Sequence, residues 1–502
     1  MNEFAGNIAI GLGQALTADS LLFCFIGVTV GTLVGVLPGI GPLAAISLAL
    51  PMTYYLDPTT GLIMLAGIFY GSQYGGSTAS ILLNLPGSAT SAITCLDGYP
   101  LARQGKALLA LFVTAINSFV GASIAILILM GFAPLIADLA LGFSSAEYFS
   151  VLLLGLVAAG TMTPGSPVKG LMMVAFGIAL GLVGTDVNSG AFRFTLGLLD
   201  LSDGISLVAL AMGLFGVSEV IANIGGRATR PMRIERIRLR DMWPSRQEWR
   251  EIWPPTLRGS MIGSFVGALP GTGPGVATLI AYATEKRISK HPERFGKGAL
   301  AGISAPEAAN NAAVQAAFIP TLSLGIPGDA VVAMLMGAMI LHGITPSPNL
   351  IHEQPTLVWG LIMSFWVGNL MLLVLNIPLL GLWVRLLSIP YNLLYPAILV
   401  LVCVGVYAAD NSVFDIFVVL AFGILGYVMR ILGYEAMPVL LGFILGPLIE
   451  EHLRRTLLLS HGDMSILVER PVSLLFLLAS LLLLAISALP ALRRRLARME
   501  SV

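Results

Sequence analysis

Three carboxylates lie inside or beside long apolar segments of the chain, where a charged group is costly. Glu307 stands in the run SAPEAANNAA, Asp329 ends the turn-forming sequence GIPGD, and Asp97 follows shortly after NLPGSATS. Ionisable residues within membrane segments are rare and usually functional. We therefore interpret Asp97, Glu307 and Asp329 as candidates for coupling to a proton or a sodium ion. For Asp97, a position in an interfacial loop accounts for the residue equally well.

Small polar residues accompany these carboxylates in sequences rich in proline and glycine. Proline removes a backbone donor and glycine permits positive φ, so helices are expected to be interrupted there. Free backbone N–H groups, hydroxyls and amides can bind a carboxylate without burying a fixed charge. For a single serine, close helix packing is the simpler interpretation, but four interruptions together favour a binding site. The candidate substrate-binding residues are Pro38, Gly39, Gly41, Ser77, Thr78, Asn84, Ser88, Thr90, Gly271, Thr272, Gly273, Asn310, Asn311, Ser323 and Gly328.

The chain carries this pattern twice. GTLVGVLPGIGP at 31–42 returns as GSFVGALPGTGP at 263–274, and PGSA at 86–89 returns as PGDA at 327–330. Broken helices at corresponding positions of two halves point to the binding site of a transporter. We expect a first repeat at 1–224, with a hairpin tip at 37–42 and a broken helix at 61–101, and a second at 259–502, with a tip at 269–274 and a broken helix at 298–341. The weak points expected in the broken helices are 70–78 and 84–91 in the first half, and 305–313 and 324–330 in the second.

The distribution of basic residues predicts how the halves are oriented. Clusters of Arg and Lys flank the apolar segment 259–283 on both sides. A re-entrant hairpin would keep both clusters in the cytoplasm, whereas one spanning helix would not. The first block lacks basic flanks, which favours inverted topology, with 225–258 as a basic cytoplasmic connector. Arg193 falls on the wrong side in this scheme, and the basic C-terminus needs one more crossing, for which 433–470 is the candidate segment.

Composition sets the class of protein. Of the 502 residues, 56% are hydrophobic and 11% charged, with a mean hydropathy of +0.89. Soluble proteins carry about 25% charged residues. We predict an all-α polytopic protein of the lipid bilayer with about 12 membrane segments. The five His and three Cys lack metal-ligand spacing, and GxxxxGK[ST], HExxH and GxSxG are absent, so we expect no enzyme activity, metal, cofactor or nucleic-acid partner.

The paired LPGxGP motifs, AGISAPEAANNAA at 301–313 and SLGIPGDA at 323–330 resemble the TctA family over essentially the whole chain. This family forms the large membrane subunit of bacterial tripartite tricarboxylate transporters. The resemblance implies a secondary transporter of the bacterial inner membrane that imports citrate or another carboxylate with Na⁺ or H⁺. It also implies two partners, a small TctB-like membrane subunit and a periplasmic TctC-like substrate-binding protein. Related ion-transporter folds move a domain with two hairpins like an elevator, which is an analogy only.

Three alternatives stay open from the sequence. The same broken helices can build a channel for small organic anions, which would need no ion gradient. An intramembrane enzyme acting on lipid substrates is disfavoured, because the duplicated breaks carry no catalytic pattern. A structural scaffold for other subunits would not need two matched sets of breaks. We favour a symporter whose substrate lies between two hairpin tips and two broken helices.

Overall fold

The computed structural model describes residues 2–37, 41–85, 89–162, 166–186, 189–224, 242–386 and 391–499. Across these ranges the chain is helical, apart from one antiparallel pair of two-residue strands. The first half contains α1 (Asn2–Ala15), α2 (Ala18–Val36), α3 (Pro42–Thr53), α4 (Pro58–Leu83), α5 (Ala92–Leu101), α6 (Ala107–Ala140), α7 (Ser145–Thr161), α8 (Pro167–Gly181), β1 (Gly184–Thr185), β2 (Phe192–Arg193), α9 (Leu207–Ala211) and α10 (Ser218–Asn223).

The second half contains α11 (Arg246–Gly267), α12 (Gly273–Ile288), α13 (Leu300–Ala316), α14 (Phe318–Leu324), α15 (Ala330–Leu341), α16 (Leu350–Glu353), α17 (Pro355–Asn376), α18 (Leu380–Leu386), α19 (Tyr391–Asp410), α20 (Val413–Ile431), α21 (Met437–Leu459), α22 (Ile466–Glu469) and α23 (Pro471–Met499). Short π-helical turns join α5 to α6 and α9 to α10.

Local sequence signals set the ends of the longer helices. Asp57 caps α4 through backbone N–H groups of its first turn, and Pro58 occupies the first helical position. Ser245 and Glu248 form a reciprocal capping box at the start of α11. At its other end, α4 stops where Asn84 adopts a left-handed conformation with φ 56°. That residue type tolerates this conformation better than most.

Two helical hairpins are formed, the first hairpin by α2 and α3 and the second hairpin by α11 and α12. In the second, Arg258 Nε lies 2.6 Å from Glu285 Oε1. Both residues are about equally distant from the turn at 268–272, so the two helices return alongside each other from tip to base. In the first hairpin, α2 ends at Val36 and α3 begins at Pro42. Pro38 and Gly39, in its predicted tip, lie outside the described residues.

Each half also contains an interrupted helix. In the first half, the chain leaves α4 at Leu83 and resumes with α5, and we call 84–91 the first break. In the second half, Gly325 turns the chain with φ 69° and α15 starts at Ala330, so 325–329 is the second break. A lesser interruption at Ala317 separates α13 from α14, where Pro320 has no N–H to continue the helical bonding.

The two other predicted weak points are not interruptions. Residues 70–78 lie within α4 and residues 305–313 within α13, and both helices run through without a break. The small residues there serve helix packing. A Cβ on Gly75 of α4 would collide with the Thr32 carbonyl oxygen of α2. Small residues in a helix can therefore mark close contact as well as a break.

The remaining helices form two groups that mix the halves of the sequence. α21 packs on α7 and α8, and α23 packs on α7, where Ser150 and Ser473 hydroxyls lie 2.6 Å apart. α9 and α10 pack on α20, and α19 contacts both α20 and the first hairpin. Each group therefore combines late helices of one half with late helices of the other.

The helices suit a membrane. Five are long and apolar enough to cross one, namely Ala18–Val36, the stretch Ala92–Ala140, Pro355–Asn376, Val413–Ile431 and Pro471–Ala488, and six shorter apolar helices accompany them. The all-α polytopic class agrees with the prediction. The count of about 12 segments stays a prediction.

Candidate functional site

The hairpins and interrupted helices are joined by the same kind of contact in both halves. Glycines of the hairpin helix approach so closely that an added Cβ would collide with a backbone carbonyl of the interrupted helix. In the first half the contacts are Gly27 with Met64, Gly31 with Ile68 and Gly35 with Ser72; in the second they are Gly259 with Ala305, Gly263 with Ala309 and Gly267 with Ala313. Each hairpin is thus fixed to its interrupted helix by backbone contact.

The tip of the second hairpin meets the second break. Gly271 N–H donates to the Gly328 carbonyl at 2.9 Å, and Gly271 and Gly273 adopt positive φ of 77° and 65°. Gly328 approaches Ala317 so closely that a Cβ on it would lie 2.6 Å from the Ala317 Cα. Only glycine tolerates both the positive φ at 271 and 273 and the close backbone contact at 328. The structure therefore brings together the predicted residues 271, 273 and 328.

Three other predicted residues lie at or beside this junction. Thr272 donates its hydroxyl to the Val266 carbonyl at 2.6 Å, closing the hairpin tip. Asp329 is 1% exposed and caps α15 by accepting the Val332 N–H at 2.8 Å. Ser323 donates to the Ile319 carbonyl of its own helix at 2.6 Å. The Asp329 carboxylate retains lone pairs that can accept further bonds.

Glu307 is a deeply buried carboxylate near the breaks, with 1% exposure. Its Oε2 accepts the hydroxyl of Ser77 at 2.7 Å and that of Ser118 at 3.3 Å, and its Oε1 accepts the Thr94 hydroxyl. These partners come from α4, α6 and α5. Within the described part of the chain, Glu307 has no cationic partner. Ser77 and Thr78 also line a cavity of about 10 Å³, enough for about one water.

Buried amides continue from Glu307 along α13. Asn311 donates to Ser118 Oγ at 2.7 Å, but its Oδ1 has no hydrogen-bond partner among the described residues. In the same part of the chain, Asn310 lacks a partner for both Nδ2 and Oδ1, and Gln315 for Oε1. All three side chains are 1% exposed. Buried polar atoms are normally paired, so these four atoms are open to an additional group.

Asp97 is fully buried and is held by the second half. Its Oδ1 accepts backbone N–H groups of Gly296, Gly298 and Ala299 at 2.8–2.9 Å, and its Oδ2 accepts the Tyr282 hydroxyl at 3.0 Å. Asp97 thus ties α5 to α12 and to the chain just before α13. Four donors already surround this carboxylate, in contrast to the hydroxyl shell of Glu307.

The first break is partly described. Thr90 donates to Gln73 Oε1 at 2.7 Å, and Ser80 donates to the Ser91 carbonyl at 3.0 Å. Asn84 is exposed, and Ser88 lies outside the described residues. Gly41 is the N-cap of α3, next to the undescribed tip. The structure does not bring Asn84 and Gly41 to the Glu307 cluster through any described contact.

Sequence reasoning missed several residues of this site. Thr94 and Ser118 bind Glu307, Tyr282 binds Asp97, and Gln315 continues the amides of α13. Ser118 and Gln315 each stand as a polar residue in an apolar run, which is a signal that could have found them. For Thr94 and Tyr282, nothing in the local sequence distinguishes a partner from a packing residue.

The fold and this interior define a polytopic membrane protein with interrupted helices around buried carboxylate and amide groups. The chain belongs to the tripartite tricarboxylate transporter TctA family, whose sequence model matches residues 21–441. The family resemblance predicted from the motifs is confirmed, and membership makes the chain a transporter subunit.

Two related proteins, both from Agrobacterium vitis, are described only as uncharacterized. One, in the TAR-I ttuC' 3' region, is 46% identical over 495 residues, which is 99% of this chain and 98% of its own length. The other, in the TAR-II ttuC' 3' region, is 48% identical over 220 residues, which is 44% of this chain and 91% of its own length. No solved structure matches the chain.

Proposed function

We propose that the protein is the membrane subunit of a symporter that imports citrate or a similar carboxylate together with Na⁺ or H⁺. The observation that carries this proposal is Asn310, whose amide is buried with both polar atoms unpaired among the described residues. It lies one turn beyond Glu307 on a helix that packs on the second hairpin. An amide and a carboxylate exposed to the same interior can serve a polar substrate and its coupling ion.

The substrate carboxylates would be bound by neutral donors. Asn310 and Asn311 offer side-chain N–H groups, and the junction of Gly271 with Gly328 places irregular backbone nearby in the fold. Neutral donors stabilise a carboxylate without the cost of a second buried charge. Glu307 would carry the proton or help to ligate the sodium ion, so that ion binding offsets the negative charge of the substrate.

The three candidate coupling residues differ in how far the protein already satisfies them. Among the described residues, Glu307 is bonded only by hydroxyls, which can reorient between donating and accepting. Asp329 accepts the backbone N–H groups of Val332 and Val331 in a capping role. Asp97 accepts four donors, which favours a structural role in fixing α5 to the second half. We therefore place ion coupling at Glu307 first and at Asp329 second.

Contacts at the two ends of α6 support inverted repeats. Lys106, just before α6, pairs with Glu248 of the basic connector, whereas Asp138, near its far end, contacts His352. Helix α6 has 34 residues, or about 51 Å of length. The second hairpin has its base at the connector end. The first hairpin has its base at the opposite end of α6, where Tyr54 packs against His342. The positive-inside rule then makes the connector end cytoplasmic.

This orientation also accounts for the two inconsistent charges. Arg193 at the outer end is neutralised by Glu450 at 2.8 Å and Asp186 at 3.5 Å. Helix α21, within 433–470, supplies the additional crossing, since its start lies near Lys169 and its end near Asp186. Helix α23 then returns the basic C-terminus to the cytoplasm. We propose the bacterial inner membrane as the location, with an elevator movement of the hairpins and interrupted helices as the transport step.

Reconstitution tests the proposal. Proteoliposomes would contain this chain with its TctB-like subunit and TctC-like binding protein, and would be assayed with di- and tricarboxylates under Na⁺ or H⁺ gradients. We expect gradient-dependent uptake that Asn310→Ala and Asp329→Ala abolish at normal protein levels. Uptake at equal rates without any gradient would favour a channel. Normal uptake by both variants would exclude the proposed site.

A further inference from the structure

A cavity of about 340 Å³ lies at the outer end of the molecule, remote from the connector. We call it the outer cavity. The end of α6, the start of α7, the loop 345–349 and the last turns of α21 line it. Leu324 and Gly325 form part of its wall, so the outer cavity adjoins the second break from outside.

One arginine in this cavity has no acidic partner within the described part of the chain. Arg455 on α21 is exposed and forms no ion pair with any described residue. The preceding Arg454 does not line the cavity, and it is paired with Glu450 at 2.5 Å and Asp186 at 3.1 Å. Consecutive arginines thus differ sharply. One is neutralised by the protein, and the other leaves its guanidinium available to an anion.

A histidine beside Arg455 adds a second unpaired group. The His452 imidazole stacks on Tyr148 with ring centroids 5.0 Å apart and planes inclined by 22°. Its Nδ1 is buried and has no hydrogen-bond partner in the described part of the chain. Because buried polar atoms are normally paired, this nitrogen can be satisfied by a ligand in the cavity. Stacking on Tyr148 holds the ring in place for that contact.

The lining also contains one carboxylate, Glu451. It repels an anion, and it lies four residues before Arg455 on the same helix without forming an ion pair with it among the described contacts. Removing Glu451 and removing Arg455 should therefore change anion binding in opposite directions. A general loss of packing at the cavity would weaken binding in both variants, so the two signs distinguish charge from structure.

We infer that the outer cavity is an anion-binding site at which a polycarboxylate substrate is first held before it reaches the interrupted helices. Arg455 binds one carboxylate, His452 contributes its ring nitrogen, and the hydroxyls of Thr345 and Ser347 line the opposite loop. From there the substrate passes Gly325 toward the Gly271–Gly328 junction. This inference rests on the proposed transport function.

Uptake kinetics test the inference in the complete three-component system. With citrate as the probe, Arg455→Gln should raise KM about tenfold at low ionic strength, with less effect at high salt, because a removed charge acts mainly on association. Maximal rate should change little. Glu451→Gln should lower KM, and Arg455→Lys should retain most of the affinity. Arg454→Gln is the matched control, because its charge is already neutralised.

The outcomes separate the two proposals. A wild-type system that transports no carboxylate refutes the proposed function. If the wild type transports but KM is unchanged in Arg455→Gln, or rises equally in Arg454→Gln, the inference about the outer cavity is refuted. The proposed function then stands. Immunoblots of the reconstituted protein would show that each variant is present in equal amount.

A labelling experiment tests binding without transport or the binding protein. Ser347→Cys would be made in a chain whose Cys95 and Cys403 are replaced by Ser, leaving buried Cys24. Citrate should slow modification of this cysteine by a neutral maleimide several-fold in detergent, and Arg455→Gln should remove the protection. If citrate gives no protection while the TctC-like protein does, the outer cavity is a docking surface and the inference fails.

Discussion

Replacing Glu307 by Gln tests ion coupling most directly. Glutamine keeps the shape of the side chain but cannot carry the negative charge. Glu307 accepts hydroxyls from Ser77, Thr94 and Ser118. Hydrogen bonds to charged groups contribute about 1.5–3 kcal/mol, against about 1 kcal/mol for neutral ones. With glutamine, these three bonds therefore lose on the order of 3 kcal/mol of the stabilisation that depends on the negative charge.

The assay separates coupling from substrate binding. In proteoliposomes, Glu307→Gln should abolish uptake driven by the ion gradient, while exchange of labelled substrate against the same substrate inside continues. The hydroxyl variants Ser77→Ala and Thr94→Val keep the carboxylate and remove one bond each. For a coupled proton, each variant should lower the half-saturating ion concentration about tenfold, because the lost donor stabilised the charged carboxylate and about 1.4 kcal/mol is a factor of ten.

Folding must be controlled, because the site is buried. Size-exclusion profiles in detergent should be the same for wild type and Glu307→Gln, since glutamine can accept from and donate to the surrounding hydroxyls. Gradient-driven uptake by Glu307→Gln at the wild-type rate, with the same half-saturating ion concentration, would refute the assignment. Coupling would then be sought at Asp329.

Three further predictions concern the scaffold. Gly263→Val should prevent stable folding, because any Cβ collides with the α13 backbone, and detergent thermal unfolding should show no cooperative transition; a wild-type transition would contradict the packing argument. Asp97→Asn should lower the free energy of unfolding by about 1.5–3 kcal/mol, because three N–H donors lose a charged acceptor. An unchanged melting temperature, together with uptake that no longer depends on the ion gradient, would instead place coupling at Asp97. Glu248 should make a small, pH-dependent contribution to the free energy of unfolding. Burial alone would raise its pKa, but hydrogen bonds from Lys106 and its helix cap outweigh this and hold the pKa below the ordinary value of 4.5. Because the folded pKa is depressed, the stabilisation is present above the unfolded pKa and lost as pH falls through the folded one. The free energies of unfolding of wild type and Glu248→Gln should differ by less than about 1 kcal/mol. The difference should be largest near neutral pH and vanish in acid.

The sequence contains enough to predict the turns of the fold but not the partners across it. Gly271 turns the tip of the second hairpin and Gly325 ends α14. Glycine and proline act on the local backbone, so such turns can be predicted from the local sequence. The same residue types led to a wrong prediction of helix breaks at 70–78 and 305–313, where small side chains instead allow two helix backbones to touch. Thr94 and Glu307 are 213 residues apart. Such a contact depends on how whole helices pack, which no short pattern encodes.

The sequence motifs that occur twice are spaced differently in the two halves of the chain. Gly31 corresponds to Gly263, but Pro86 corresponds to Pro327, so the second half carries nine more residues between its hairpin and its break. The structure places the longer connection between α12 and α13, and there the N–H groups of 296–299 bind Asp97. The insertion thereby secures α5 of the first half against α13, with Thr94 at Glu307. A strictly symmetric duplication would have no such loop. The longer connection therefore helps to hold Thr94, one of the three hydroxyl donors at Glu307, beside that carboxylate.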